Sequence, residues 1–220
     1  MQWFIKALST SIGKKLLVGL TGLFLCIFLV VHLYINLHLL KTDGGEEFKA
    51  LAHFMGNTWA IKVMEIGLFL GILLHIIYSI LITLQNRSAK AVGYAKSPNP
   101  GTSSWVSRTM IFWGLLILVF LVIHLQGIYF KYKFGSEPVD LYVLTVQVMS
   151  DPVWAIVYIL SMVGLGIHLY HGFQSAFQTF GWNTPKYKPL INLVAVVFWL
   201  GIPAGFAFLP VFFAFLGGHQ

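Results

Sequence analysis

The sequence predicts an all-α membrane protein, a single domain built as a bundle of five membrane-spanning helices. Hydrophobic side chains make up 58% of its 220 residues and charged side chains only 10%, whereas an ordinary soluble domain is about 25% charged. Five apolar segments each reach the ~20 residues that a helix needs to cross a bilayer, and the stretches between them are short. These observations exclude a soluble globular domain, and we expect one domain over residues 1–220.

The predicted spans begin at recognisable signals. The first follows Lys14 and Lys15 and lacks the small-residue cleavage pattern of a secretory signal peptide. The third follows a turn and cap cluster at 100–104. The fourth opens with Asp151 as N-cap and Pro152 at the first helical position. The five predicted spans are residues 16–40, 60–84, 105–130, 152–180 and 190–216.

Three residues inside the spans restrict what the chain can form. Pro203 and Pro210 are predicted to kink the fifth span, because proline cannot donate the helical hydrogen bond. Cys26, the single cysteine, lies in the apolar part of the first span. The chain alone therefore forms no internal disulfide, cysteine-ligated zinc site or iron–sulfur cluster.

The charge pattern predicts the orientation. With five spans, the N-terminus and the loops 85–104 and 181–189 share one side. The basic residues of that side, which carries no acid, are Lys6, Lys14, Lys15, Arg87, Lys90, Lys96, Arg108, Lys186 and Lys188. Lipid-embedded proteins keep such residues in the cytoplasm, so we expect a multi-pass protein of the bacterial cytoplasmic (inner) membrane with its N-terminus inside and its C-terminus outside. Orientation also accounts for the net charge of +7 without a nucleic-acid partner.

Four histidines lie at membrane depth, one in each of the first four spans. Ionisable groups in lipid are costly and usually functional. At about 1.5 Å per residue, their depths sort them into two pairs, His32 with His124 nearer the outside, and His75 with His168 nearer the centre. Two histidines at one depth on different helices can fill both axial positions of a haem iron, so two pairs predict two stacked b-type haems. The alternative for any single histidine is a packing or proton-relay role.

Other residues bear on this site less directly. His171 lies three residues after His168, and depth alone does not decide which of the two partners His75. His53 is expected in the outer loop, His38 near the outer boundary and His219 at the terminus. Glycines are placed to let helices or a flat macrocycle approach closely, with plain helix packing as the alternative: Gly19, Gly22, Gly67, Gly71, Gly164, Gly166 and Gly172.

These stretches resemble the di-haem cytochrome b membrane subunit of the succinate:quinone oxidoreductases, the succinate dehydrogenase and fumarate reductase family. The resemblance covers nearly the whole chain, including the spacing of the spans. The matching residues are Thr21-Gly22-Leu23-Phe24-Leu25, Val31-His32-Leu33, Ala52-His53-Phe54-Met55, Leu74-His75-Ile76-Ile77-Tyr78, Ile123-His124-Leu125, and His168 with Gly172, Ser175, Gly181 and Trp182.

The resemblance implies an electron-transfer function. It assigns His75 and His168 to a proximal haem and His32 and His124 to a distal haem, and it favours His168 over His171. It implies a flavoprotein subunit with FAD and an iron–sulfur subunit on the cytoplasmic face, and an assembly that can pair as a dimer of complexes. The electron partner in the membrane is a quinone, with menaquinone expected. His53 is a candidate for the quinone site, and Arg108 for a haem propionate.

Two departures concern proton transfer. Some members of the family carry a glutamate two residues before the fourth histidine, where this chain has Gly166. Some also carry an acid near the end of the first outer loop, where this chain reads His53-Phe54-Met55-Gly56. A compensating proton pathway is therefore not expected here, and Glu65 is the substitute candidate, with an interfacial charge as the alternative.

Two rival functions remain. One is a cytochrome b subunit of another respiratory complex, although no span carries the histidine pair about fourteen residues apart of bc-type cytochromes. The other is a haem-free transporter with a histidine relay, which would favour broken helices and repeats. The sequence leaves open whether the complex oxidises succinate or reduces fumarate.

Overall fold

The chain folds into a bundle of helices. The computed structural model describes residues 10–88, 105–136 and 138–218, and these ranges hold helices and connecting turns without a β-strand. Five helices are long and apolar enough to cross a membrane, so the predicted all-α, five-span architecture is confirmed. They are Ser11–Leu40, Trp59–Ser88, Arg108–Phe134, Pro152–Thr179 and Lys188–Phe215. The first, third and fifth combine α-helical with 3₁₀ or π-helical segments, and the α-helix of the third begins at Trp105.

The first span begins earlier than predicted. Its N-cap is Thr10, whose Oγ1 accepts a hydrogen bond from the Gly13 backbone N–H at 3.0 Å, and the α-helix runs from Ser11. The predicted start at residue 16 was therefore wrong by about one turn. Lys14 and Lys15 lie within the helix. Long lysine side chains can extend from the helix surface and keep their charged ends at the polar boundary.

The start of the fourth span is as predicted. Asp151 Oδ1 accepts hydrogen bonds from the backbone N–H groups of Val153 at 2.8 Å and Trp154 at 3.1 Å, and Pro152 occupies the first turn. This cap satisfies two of the N–H groups that a helix start leaves without partners.

The fifth span responds differently to its two prolines. The backbone widens into a π-helical segment, Val197–Gly201, just before Pro203, and the α-helix Ile202–Phe215 then continues through Pro210. Pro203 has no N–H to offer the carbonyl of Trp199, four residues earlier. A second π-helical segment, Leu125–Phe130, follows His124 directly in the third span.

Two short helices cover one end of the bundle, which we call the loop-helix end. They are Glu46–Asn57 and Leu141–Ser150, where only connecting stretches were expected. Both pack near a buried cluster of Leu39, Phe48, Met149, Tyr158 and Phe213. His53 therefore lies on a helix and not in a loop.

The fourth span is the centre of the bundle. It packs against the first, third and fifth spans and contains more buried residues than any other described helix. Its residues Met162, Leu165, Leu169 and Phe173 share a core cluster with Cys26. The second span, by contrast, packs closely along the first, and Gly71 is its single buried residue. With this packing, side chains on the inner face of the second span can extend toward the other spans.

Several predicted positions fall outside the described residues. They are the cap cluster at 100–104, His219, and the charged residues Lys6, Lys90, Lys96 and Glu137. The side of the membrane on which each terminus lies therefore stays a prediction from the charge pattern.

Candidate functional site

The structure brings together both histidine pairs. The ring centroids of His32 and His124 are 5.8 Å apart, with an angle of 84° between the ring planes. Those of His75 and His168 are 6.4 Å apart, with an angle of 71°. Each pair joins two different spans, so four helices meet through four imidazoles.

The two pairs lie at different levels of the bundle. On the first span, a Cβ built on Gly22 would lie 3.3 Å from Cε1 of His75, and on the third span a Cβ built on Gly114 would lie 3.7 Å from Cε1 of His168. Gly22 and Gly114 therefore mark the level of the His75–His168 pair. Each is followed ten residues later by a histidine of the other pair, His32 or His124. At 1.5 Å per residue, both spans give the same separation between levels, about 15 Å.

His75 is held by the first span. Its Nδ1 lies 3.2 Å from the hydroxyl oxygen of Thr21, and the Val18 carbonyl is a further hydrogen-bonding group beside the ring. The contact with Gly22 is close, because any side chain there would press on the imidazole. One turn of the first span therefore sets the position of His75.

Aromatic residues surround the pair near the loop-helix end. The ring of Phe28 stacks on His32, with the centroids 5.2 Å apart and the planes 17° apart, and Phe206 of the fifth span lies 5.5 Å from the same ring. Phe120 stacks on His124 at 5.7 Å. These rings make the surroundings of both imidazoles apolar.

The polar contacts of this pair are few. Nδ1 of His124 lies 3.2 Å from the hydroxyl of Tyr158, a buried residue of the fourth span. Asn36 donates to the His32 carbonyl oxygen at 2.7 Å, and its Nδ2 is 3.5 Å from Nδ1 of His32, at the limit of a hydrogen bond.

His168 differs from the other three. Its Nδ1 is buried and is the one buried side-chain polar atom, among the described residues, without a hydrogen-bonding partner. A buried polar group without a partner costs free energy, so such a group in a native site calls for an explanation.

The two pairs have the dimensions of axial ligands. A metal held at about 2 Å by one nitrogen of each ring places the two ring centroids about 6 Å apart, close to the observed 5.8 Å and 6.4 Å. All four histidines keep an intermediate exposure although their rings meet inside the bundle. A haem iron has two axial positions, and the two histidines at each level could fill both.

A metal ion without a cofactor would find few protein ligands at these pairs. No group of three or more His, Cys, Asp or Glu side chains that could hold a metal comes together in residues 10–88, 105–136 and 138–218. Each pair supplies two ligands, so a metal held there would need its remaining ligands from elsewhere.

The remaining candidates lie apart from the pairs. His171 is half-buried, and it is His168, not His171, whose ring contacts His75. His53 is exposed on the Glu46–Asn57 helix, and Arg108 is exposed near the start of the third span. His38 contacts the Tyr34 carbonyl oxygen through Nδ1 at 2.9 Å.

Glu65 links two spans near the loop-helix end. It accepts hydrogen bonds from Tyr129 and Lys133 of the third span and forms an ion pair with Lys133. Lys133 also donates to the Tyr129 hydroxyl at 3.0 Å. This is the interfacial charge that the sequence offered as the alternative to a proton-transfer role, here with a partner.

Most of the predicted glycines serve helix packing. A Cβ on Gly164 would lie 2.7 Å from the Leu116 side chain, and one on Gly166 would lie 2.8 Å from the Trp199 carbonyl oxygen. Gly166 thus faces the fifth span, and a glutamate could not stand there without moving that span. Gly67 has no neighbour within 4 Å. Of the seven, Gly22 is the one in contact with a paired histidine.

The sequence analysis named Thr21 in a matching stretch without giving it a role, and it missed Tyr158 and Gly114. Thr21 carried a signal, since it is the only serine or threonine between residues 16 and 40, and an isolated hydroxyl in an apolar span needs a partner. Gly114 carried one too, because it repeats the ten-residue interval of Gly22 and His32. Tyr158 gave none, because tyrosine is common near membrane boundaries.

Comparison of the chain with models of protein families, with curated proteins and with solved structures finds no match. The histidine pairs and their surroundings therefore carry the functional conclusion.

Proposed function

We propose that the chain is a membrane-embedded cytochrome b that binds two haems and passes electrons between an iron–sulfur partner subunit and a membrane quinone. The observation that carries this proposal is the pairing itself. Four histidines from four spans form two pairs, each with the ring separation of axial ligands, about 15 Å apart along the bundle.

The roles of the residues follow from their positions. His75 and His168 would hold one haem, and His32 and His124 the other. A haem iron supplies one-electron exchange at each level when bound. With a histidine on each side, such a haem would have no open position for oxygen, so the site would suit electron transfer.

The surroundings of the pairs favour the same function. Phe28, Phe120 and Phe206 place apolar rings against the His32–His124 pair. The hydroxyls of Thr21 and Tyr158 orient one histidine in each pair. Ligands held in this way keep one geometry while an electron enters and leaves.

Assignment to a succinate dehydrogenase or fumarate reductase complex rests on the resemblance of motifs and span order. In such a complex the chain is the membrane subunit of an enzyme, and it contributes the reaction with quinone, expected to be menaquinone. The flavoprotein with FAD and the iron–sulfur subunit would dock on the basic side, and Arg108 is the candidate there for a haem propionate. His53, exposed on the Glu46–Asn57 helix, is the candidate for the quinone site.

A visible spectrum of the purified chain tests the proposal. We expect reduced b-type bands and about two haems per chain. His75→Ala and His124→Ala should each abolish one haem and leave the other, because each removes an axial ligand at one level. His171→Ala is the matched control and should keep both haems. A colourless wild-type protein refutes the proposal and leaves the histidine-relay transporter as the alternative.

The complex is tested separately. Purification from membranes should bring along a flavoprotein and an iron–sulfur protein, to be identified by their bound cofactors and masses. Recovery of two haems with the subunits of another respiratory complex would keep the cytochrome and overturn the succinate assignment.

A further inference from the structure

The hydroxyl of Thr21 makes three contacts at once. Its Oγ1 lies 2.8 Å from the Leu17 carbonyl oxygen, 3.1 Å from the Val18 carbonyl oxygen and 3.2 Å from Nδ1 of His75. A threonine hydroxyl has one hydrogen and two lone pairs. Since carbonyl oxygens can only accept, the hydrogen is directed to the backbone of the first span. The hydroxyl oxygen is therefore left to accept from His75.

This arrangement favours one tautomer of His75. A neutral imidazole has one N–H donor and one acceptor nitrogen. With Nδ1–H donated to Thr21, the lone pair is on Nε2.

The partner of His75 lacks such an anchor. Nδ1 of His168 is buried and has no hydrogen-bonding partner among the described residues, and the residue beside it on the third span is Gly114, which has no side chain. The two imidazoles of this pair are therefore unequal, since the first span orients one and no side chain in the described part orients the other.

We propose that Thr21 is a positioning residue that holds His75 in the Nδ1–H form and thereby sets both the retention and the redox potential of the haem at the His75–His168 level. This inference rests on the proposed function. A group that accepts a hydrogen bond from the N–H of a metal-ligating histidine orients the ring and raises the basicity of the ligating nitrogen. Loss of such a group typically weakens metal binding about 10- to 100-fold. A more basic ligand stabilises the oxidised iron, so removing the acceptor should raise the midpoint potential.

The test compares variants that differ in one hydroxyl. Thr21→Val keeps the branched shape and removes the acceptor, and Thr21→Ser restores it. Thr145→Val is the matched control, because Thr145 is 3% exposed against 8% for Thr21 and its hydroxyl bonds only to a backbone carbonyl, that of Leu141 at 2.7 Å. The purified proteins are titrated spectroelectrochemically, and haem loss to a haem-scavenging protein is timed. The component missing in His75→Ala identifies the relevant haem.

We expect Thr21→Val to raise the potential of that haem alone and to speed its loss about 10- to 100-fold, with Thr21→Ser close to wild type and Thr145→Val unchanged. Should Thr21→Val fail to accumulate, Thr21→Ala removes the same acceptor with less bulk. Selective loss of the haem at the His75–His168 level in either variant also supports the inference.

Other results overturn it. If the potential and retention of that haem are unchanged in Thr21→Val, or if both haems are lost together in Thr21→Val and Thr21→Ala, Thr21 has only a structural role. In those cases a wild-type protein with two haems keeps the proposed function intact. A wild-type protein without haem refutes the proposed function and, with it, this inference.

Discussion

Replacing Gly166 with alanine should loosen the contact between the fourth and fifth spans. The new Cβ would lie 2.8 Å from the carbonyl oxygen of Trp199, whereas ordinary contacts of carbon atoms are about 3.5–4.0 Å. The obstacle is a backbone atom inside the π-helical segment Val197–Gly201, and it cannot rotate away as a side chain can. The two spans must therefore move apart by about half an ångström or more, and overpacking of this kind costs about 1–3 kcal/mol.

The matched control is Gly67→Ala on the second span, where no atom lies within 4 Å of the new Cβ. Both substitutions gain the same helix propensity, about 1 kcal/mol, so this contribution cancels in the comparison. The difference in unfolding free energy is then the overpacking cost alone. It corresponds to a melting temperature lower by about 2–12 °C for Gly166→Ala than for Gly67→Ala.

Thermal unfolding of both variants in the same detergent, followed by circular dichroism, measures this difference. Equal melting temperatures would refute the close approach of Gly166 to the fifth span. Gly166→Glu should be worse than Gly166→Ala, because the longer side chain meets the same carbonyl.

Three further predictions concern contacts at the ends of the helices. Asp151→Ala should destabilise the protein by about 1 kcal/mol by removing the cap of the fourth span, and a melting temperature equal to that of Asp151→Asn would contradict this. Glu65→Gln should lower the unfolding free energy by no more than about 1 kcal/mol, because the ion pair of Glu65 with Lys133 is partly exposed. Thermal unfolding at low and high salt measures this loss. A salt-independent loss of several kcal/mol would contradict the pairing. Hydrogen bonds from the backbone N–H groups of Glu47, chiefly, and Gly45 lower the pKa of Asp43. The ionised Asp43 carboxylate therefore stabilises the start of the Glu46–Asn57 helix at pH values above its ordinary pKa of about 3.9. This stabilisation is lost as the pH falls through the lowered pKa. Hydrogen exchange of the Glu46–Asn57 helix should speed up at that acidic pH in the wild type, and this pH dependence should be weaker in Asp43→Asn.

The spans and the pairing of the histidines were accessible from the sequence because both depend on length along a helix. Apolar stretches near 20 residues have few alternatives in lipid, and a rise of 1.5 Å per residue turns residue number into depth. His32 and His124 could be matched in this way without knowing which faces of their helices meet.

What the sequence did not provide depends on contacts across the bundle. The Leu141–Ser150 helix is too short to be distinguished from a loop, and it is stabilised by its cap at Asp140 and by packing at the loop-helix end. The choice between His168 and His171 is a matter of helical face, which depth does not report. The partner of His75 required the position of Thr21 on another span.

The ten-residue interval from glycine to histidine on the first and third spans has a consequence for how such a bundle can change. Inserting one residue into either interval rotates everything beyond it by about 100° and shifts it by 1.5 Å, which turns His32 or His124 away from its partner. The smallest insertions that keep His32 and His124 facing each other are near-complete turns, of about 5.4 Å each. Both spans must gain them together. The distance between the two histidine levels can therefore change only in steps of near-complete helical turns. Natural variation can tune the surroundings of each imidazole far more finely than it can tune this distance.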